Sequence, residues 1–514
     1  MLKLYKTHNL KDKYWLITII LILLPILGVA SVKQVEEYDI LELKFQTSVN
    51  GNPFTDVQLS AEFQFKNRKY FVEGFYDGDN TWKIRFMPDE EGEWHYTTKS
   101  NIGKFDLKTG SFTCIPNTGN NHGPVQVRNT YHFGYADGTP FYPLGTTAYA
   151  WVHQPDSLKH KTLKTLRENA FNKIRMTVFP KQYSYFIQNE PPFYPFEGSK
   201  ENGWEFSQFN VDFFKHFENY VDSLRQLNIE ADVILFHPYD YGKWGFDQMN
   251  RQQNVRYLRY LIARLASYRN VWWSMANEYD IMNKPDDEWE LYFKTVQTYD
   301  PYQHLLSIHN GKKWYNHSKP WITHLSVQTP YLQDIQDWRE LYGKPVINDE
   351  PVYEGNIPMD WGNLTPEELV NRFWICWTRG AYCTHGETYE HPDNILWWSK
   401  GGSLYGKSPE RLAFLLEIMK DAPEQDLIPF HNEWNKQTYL FKDDLFFLHY
   451  YGNSQQASAI LKLPEDHSFT IEVIDAWEMT IKKLKGTFSG ETRISLPQKP
   501  YMAVRIKIEN PSLK

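Results

Sequence analysis

Between Val35 and Pro116 apolar and polar residues alternate in short runs: "DILELKFQTS", "VQLSAEFQF", "KYFVEGFYD", "TWKIRFMP", "GEWHYTTKS" and "GSFTCIP". A period of two, interrupted by clusters of Asn, Gly, Asp and Pro, predicts about six strands of an antiparallel β-sandwich. The stretch "NTGNNHGP" (residues 117–124) then punctuates the chain and marks a domain boundary. From Phe141 to Pro423 the rhythm becomes strand, helix, strand, helix. Candidate strands are "PFYPLGTTAY", "NKIRMTVFP", "ADVILFHPYD", "VWWSMANEYD", "LLSIHNG", "ITHLSVQ", "KPVINDEP" and "AYCTHGETY". Amphipathic stretches lie between most of them. In "NVRYLRYLIARLASY", Val255, Leu258, Leu261, Ile262 and Leu265 recur at three- and four-residue steps on one face. Eight strands in roughly 280 residues is the size of a TIM (β/α)8 barrel. A doubly wound open sheet is the alternative, but no GxGxxG or P-loop follows an early strand. After Gln425 short strands return, giving a small C-terminal β-domain.

The N-terminus breaks both rhythms. "MLKLYKTHNLKDKY" carries four lysines and precedes the 16 residues "WLITIILILLPILGVA", with Gly28 and Ala30 at the spacing of a cleavage site. This predicts a signal peptide and a secreted or periplasmic protein. A membrane anchor over residues 15–30 is the alternative, although a full span wants about 20 apolar residues. The chain thus divides into a leader (1–30), an N-terminal β-sandwich (31–122), the barrel (123–425) and the C-terminal β-domain (426–514).

Composition narrows the partners. A net charge of -8 without a Lys/Arg block excludes the electrostatic footprint of a nucleic-acid binder. Cys114, Cys376 and Cys383 lack CxxC or zinc-type spacing, so they are expected as buried thiols, with no disulfide framework and no metal site. Aromatic residues make up 17%, including 19 Trp and 34 Tyr. Flat apolar faces with a polar edge suit sugar rings as well as core packing. The sequence says nothing of oligomeric state, and no cofactor motif is present.

In a (β/α)8 barrel, catalytic groups sit at the C-terminal ends of strands. Here those ends are polar: "ANE" on strand four, "NDE" on seven, "HGE" on eight, "HPYD" on three and "IHN" on five. On strand four the two-residue period groups Ser274, Ala276 and Glu278 inward and sends Trp273 and Met275 to the helices. On strand seven it groups Val346, Asn348 and Glu350, so that Asp349 faces the other way. Two carboxylates across a barrel mouth suit glycoside hydrolysis, one protonating the leaving oxygen and the other attacking the anomeric carbon. The roles need opposite protonation states, and Arg175 on strand two is the candidate cation that keeps the nucleophile ionised. His237, His309 and His385 end strands three, five and eight as candidate hydroxyl contacts. Three histidines could instead bind a metal, but "GTTAYAW" stands where an early HxH would be. Glu387 is a candidate substrate carboxylate and the rival nucleophile, Trp151, Trp397 and Trp398 are candidate sugar platforms, and Asp240 is a rim residue.

The motifs "NEYD" and "NDE" in barrel order resemble those of the glycoside hydrolase clan A superfamily, retaining enzymes on a TIM barrel. "VEGFYDGDNTWKIRFMPDEEGEWHYTTKS" resembles a module of uncharacterised function that precedes such barrels, and "FYPLGTTAYAW" resembles the barrel opening of apiosidase-like and cellulase-like relatives. The C-terminal domain resembles one labelled collagen-binding. The resemblance implies Glu278 as general acid/base, Glu350 as nucleophile and Asn277 as the contact to the sugar 2-hydroxyl. The clan's tyrosine at the end of strand six is missing from "HLSVQTPY", and Tyr331 lies a little beyond. The expectation is a retaining glycoside hydrolase acting on a polysaccharide or its oligosaccharides. The rivals are a non-catalytic carbohydrate-binding barrel, a metal-dependent hydrolase, and a barrel that serves only as scaffold for adhesive β-domains.

Overall fold

The structure is a computed structural model that describes residues 33–183, 189–422, 427–432, 437–443 and 445–509. The leader expected over residues 1–30 lies outside them. In the N-terminal domain, alternation does what a period of two dictates: Leu59, Ala61, Phe63 and Phe65 are buried while the residues between them are not. One sheet orders Gln34–Glu36, Thr109–Ile115, Gly92–Ser100, Leu59–Phe65 and Arg68–Glu73, and it faces a second of Leu41–Gln46, Thr81–Phe86 and Phe75–Tyr76. Phe63 stacks on Phe86 across the gap at 4.1 Å. The pairing is antiparallel except at one edge, where Gln34–Glu36 runs parallel to Thr109–Ile115.

The barrel strands, one to eight, are Gly145–Thr147, Lys173–Thr177, Glu230–Phe236, Val271–Ala276, Leu306–Ser307, Leu325–Gln328, Val346–Glu350 and Tyr382–His385. They form one parallel sheet in barrel order. Strands five and six close the ring through a parallel bridge between His309 and Ser326 and the bond from Thr323 N–H to the Leu306 carbonyl (2.9 Å). Helices Asp156–Arg167, Val211–Gln226, Arg251–Leu265, Asp286–Tyr299, Ile335–Tyr342, Pro366–Thr378 and Ser408–Lys420 surround it. Their starts are chemically marked. Asn250 and Gln253 form a capping box, Asn210 accepts from the N–H groups of Asp212 and Phe213, and Pro366 follows the Thr365 cap. The connection from strand five to strand six carries no α-helix.

A small sheet of Val125–Arg128, His132–Tyr135 and Pro140–Phe141 plugs the bottom of the barrel, where Phe133 meets Trp272 (5.2 Å) and Tyr382 (5.7 Å) near the strand starts. The open end is therefore the one with the polar motifs. The sandwich is fastened to the barrel by a buried ionic knot: Glu218 accepts from Arg85 (2.9 Å) and Arg264 (2.6 Å), and Arg264 reaches Asp77 (2.8 Å). The C-terminal domain has a six-stranded sheet, with Ser458–Lys462 and Glu491–Ser495 paired beside it. It docks on helix Pro366–Thr378, where Tyr450 stacks on Trp374 and its hydroxyl donates to Asn371 (2.9 Å).

The thiol expectation holds for Cys114 alone, which is free and buried. Cys376 on the helix and Cys383 on strand eight are paired as a disulfide, with Cα atoms 6.5 Å apart. A helix and the strand it covers bring residues seven apart together, which spacing read linearly does not show.

Candidate active site

Strand four ends at Ala276, and the backbone then turns sharply. Glu278 is left-handed, with φ 47° and ψ 52°, a conformation that residues other than glycine adopt rarely and that concentrates at functional sites. The turn brings Asn277 to Arg175 and Tyr149 and Glu278 to Gln328. Asn277 Oδ1 accepts from Arg175 (3.1 Å), while its buried Nδ2 has no partner among the described residues.

Glu350 arrives by a different device. Between strands six and seven Val327 pairs with Asn348 and Gln328 with Glu350, so Asp349 is an extra residue in a bulge. This corrects the expectation that Asp349 and Glu350 face opposite ways. Asp349 is fully buried inside the barrel, accepting from Lys173 (2.9 Å), Thr384 (2.6 Å) and Ser326 (2.5 Å). Glu350 lies above it, also inward.

Around Glu350, the Tyr149 hydroxyl donates to Oε1, His309 Nε2 lies 3.4 Å from that oxygen, and Arg175 lies 3.9 Å from it. The Gln328 amide spans both acids. With its nitrogen turned toward them, the orientation its surroundings require, it lies 3.1 Å from Glu278 Oε1 and 3.2 Å from Glu350 Oε2. The two carboxyls are driven apart electrically. Burial and the Glu350 charge push Glu278 above the usual carboxylate range. Burial would raise Glu350 too, but hydrogen bonding and charge from His309, the Arg175 charge and the Tyr149 hydroxyl outweigh it and hold Glu350 below that range.

Lys181 completes one wall. Its ammonium lies 3.9 Å from the Tyr149 ring, 4.0 Å from Tyr239, 4.9 Å from Trp398 and 5.1 Å from Tyr183, and burial draws it below its ordinary value.

The remaining candidates are placed elsewhere. Tyr331 is 62% exposed, and the hydroxyl on Glu350 comes from strand one instead of strand six. His237 uses both ring nitrogens on backbone, the Phe179 carbonyl (3.1 Å) and the Tyr239 N–H (3.2 Å). His385 and Trp397 both meet the Thr146 hydroxyl (3.0 and 2.8 Å), and His385 stacks on Phe171. Trp151 is buried against Tyr220, so of the three tryptophans it is Trp398 that faces Lys181. Asp240 accepts from the N–H groups of Trp244 and Phe246, and Glu387 from those of Tyr405 and Gly406. Sequence reasoning missed Tyr149, Lys181 and Gln328. Tyr149 and Gln328 lie at barrel strand ends, the one signal that could have found them. No group of three or more His, Cys, Asp or Glu residues suited to a metal ion occurs among the described residues.

Kinship bears on this arrangement. The family model for the apiosidase-like catalytic domain matches residues 127–440, and models of two domains of unknown function match residues 34–101 and 434–507. A presumed glycoside hydrolase from Bacteroides vulgatus ATCC 8482 has a structure similar to this chain, with 41% identity and a TM-score of 0.87 over 93% of this chain and 100% of that one. A glycoside hydrolase family 5 protein from the same organism shares the fold, with 15% identity and a TM-score of 0.58 over 76% and 94%. No curated protein matches the chain. A chain whose barrel carries this match over most of its length belongs to the apiosidase-like catalytic-domain family, among glycoside hydrolase relatives.

Proposed function

We propose that the protein is a retaining glycoside hydrolase that cleaves a glycosidic bond in a polysaccharide, or in an oligosaccharide released from one, by double displacement. The observation that carries this reading is the amide shared by the two acids. One nitrogen lies 3.1 Å from Glu278 Oε1 and 3.2 Å from Glu350 Oε2, so those oxygens are no farther apart than the two distances laid end to end. A single amide can bridge the two acids only if they face each other at short range, which is compatible with the roughly 5–5.5 Å between the carboxyl groups of a retaining pair.

Glu350, ionised, attacks the anomeric carbon while Glu278, protonated, gives its proton to the leaving oxygen. Glu278 then takes a proton from the water that releases the sugar. The Nδ2 of Asn277, without a partner among the described residues, is the donor for the 2-hydroxyl, a bond that tightens as charge develops on the ring and therefore acts on kcat. Trp398 offers a sugar an aromatic face beside this pair. The leader expected over residues 1–30 supports export to the periplasm or beyond, where polymeric glycans are met.

The test is a panel of aryl glycosides and polysaccharides with the purified protein, followed by NMR of the first-formed anomer. The expected product keeps the configuration of the substrate. An inverted product would overturn the mechanism, and no turnover on any member would favour the carbohydrate-binding alternative.

A further inference from the structure

We infer that His309 carries a proton on both ring nitrogens and acts as the fixed counter-ion of Glu350, held in that state by a relay through Ser326 to Asp349. The inference rests on the proposed role of Glu350 as the ionised nucleophile. It follows from counting donors along a chain with an acceptor at each end. Asp349, whose Oδ1 already accepts from Lys173 (2.9 Å) and Thr384 (2.6 Å), is held ionised despite its burial by the charges of Lys173 and Arg175. It has no proton to give, so the Ser326 hydroxyl spends its single proton on Asp349 Oδ2 (2.5 Å).

Ser326 Oγ can then only accept from its other neighbour, His309 Nδ1, at 3.1 Å. That fixes a proton on Nδ1. The opposite nitrogen, Nε2, faces Glu350 Oε1 at 3.4 Å, an oxygen that already accepts the Tyr149 proton. A bare Nε2 would set its lone pair against a carboxylate, whereas an N–H there makes a charge-assisted contact. Both ends of the relay thus demand a donor from one ring. The fold locks the geometry, because the bridge between His309 and Ser326 is the one that closes the barrel between strands five and six.

The charged and titratable groups around the ring are Asp349 and Glu350 from strand seven, Lys173 and Arg175 from strand two, and His317 from the connection after strand five. Across the cavity are Glu278 after strand four and Lys181 after strand two. Within the contact-linked cluster, Lys173, Arg175 and His309 then oppose Asp232, Asp349 and Glu350 one for one.

The experiment is NMR of the whole chain with 15N-labelled histidine, His309 being assigned by its loss in His309→Asn, together with the pH profile of kcat/KM. The wild-type ring is expected to show both nitrogens protonated at about pH 7. In Ser326→Ala one ring nitrogen should be bare at about pH 7 and the acidic limb of kcat/KM should rise by about one pH unit, a roughly tenfold loss below the limb. Ser326→Thr keeps the hydroxyl and should restore both readouts, which separates the relay from a mere packing defect. A bare ring nitrogen in the wild type at pH 7, or an unmoved limb in Ser326→Ala, would overturn the inference. Glu350→Ala separates the two readings: full activity there would remove the nucleophile, while the NMR would still uphold or refute the doubly protonated ring.

Discussion

The pair Glu278 and Glu350 can be set against a second pair, Glu354 and Glu387, that follows barrel strands seven and eight and is more deeply buried. Glu354 and Glu387 sit opposite each other in a parallel bridge between Glu354–Gly355 and Glu387–Thr388, and are 0% and 1% exposed. Their oxygens all meet fixed donors. Glu387 takes the N–H groups of Tyr405 and Gly406, while Glu354 takes those of Lys407 and Ser408 and the Tyr389 hydroxyl. Four consecutive backbone amides, Tyr405 to Ser408, are thereby pinned at the entry to helix Ser408–Lys420. Among the described residues the upper pair accepts from no backbone N–H, and it shares one movable side-chain amide. Burial and proximity are common to both pairs. What distinguishes them is whether the lone pairs are committed to the fold or left available to a ligand.

The contrast is sharpest under Glu350→Ala, which should lower kcat by about four orders of magnitude and be partly rescued by azide with a glycosyl azide as product. Unchanged turnover would break the distinction. Glu278→Gln should cost about 10²- to 10⁴-fold on substrates with poor leaving groups and far less on activated aryl glycosides. The pH profile gives the sign. Activity needs Glu350 ionised and Glu278 protonated, so the acidic limb belongs to Glu350, held below the usual carboxylate range, and the alkaline limb to Glu278, held above it. Glu278→Gln should abolish the alkaline limb and keep the acidic one.

Tyr149→Phe removes a hydrogen bond to the charged form of Glu350. Its expected effect is roughly a tenfold to hundredfold loss of kcat/KM and an acidic limb moved upward, checked by pH-rate measurements with a single substrate. The smallest effect on turnover is expected for Glu387→Ala. Chemical denaturation should show a loss of about 1–3 kcal/mol for each backbone amide left without an acceptor, while kcat of the folded protein stays within about twofold. A collapse of kcat comparable to Glu350→Ala would place Glu387 in the chemistry after all.

Much of the barrel was legible because its strands and helices obey their own periods, and Glu278, Glu350, Arg175, Asn277 and His309 stood out as polar residues ending or lining strands. Tyr149 and Gln328 sit at such ends too, but nothing in a tyrosine or an amide marks it as chemical until its neighbours are known. Lys181 lies beyond a strand end, and its setting is made by rings from four separate stretches of chain. Trp151, Trp397 and Trp398 look alike on the page, since core packing and a sugar face call for the same side chain. The parity of strand seven failed for a backbone reason: an inserted residue resets alternation without leaving a compositional trace.

That inserted residue also decides how the barrel can be altered. It lets one short strand supply both storeys of the lumen, Asp349 to the ionic foundation and Glu350 to the working floor above. Shortening the strand by one position would swing Glu350 out among the helices or pull Asp349 from beneath Lys173. An acid and its footing are coupled through a single backbone step, so lengthening or trimming this strand cannot spare either.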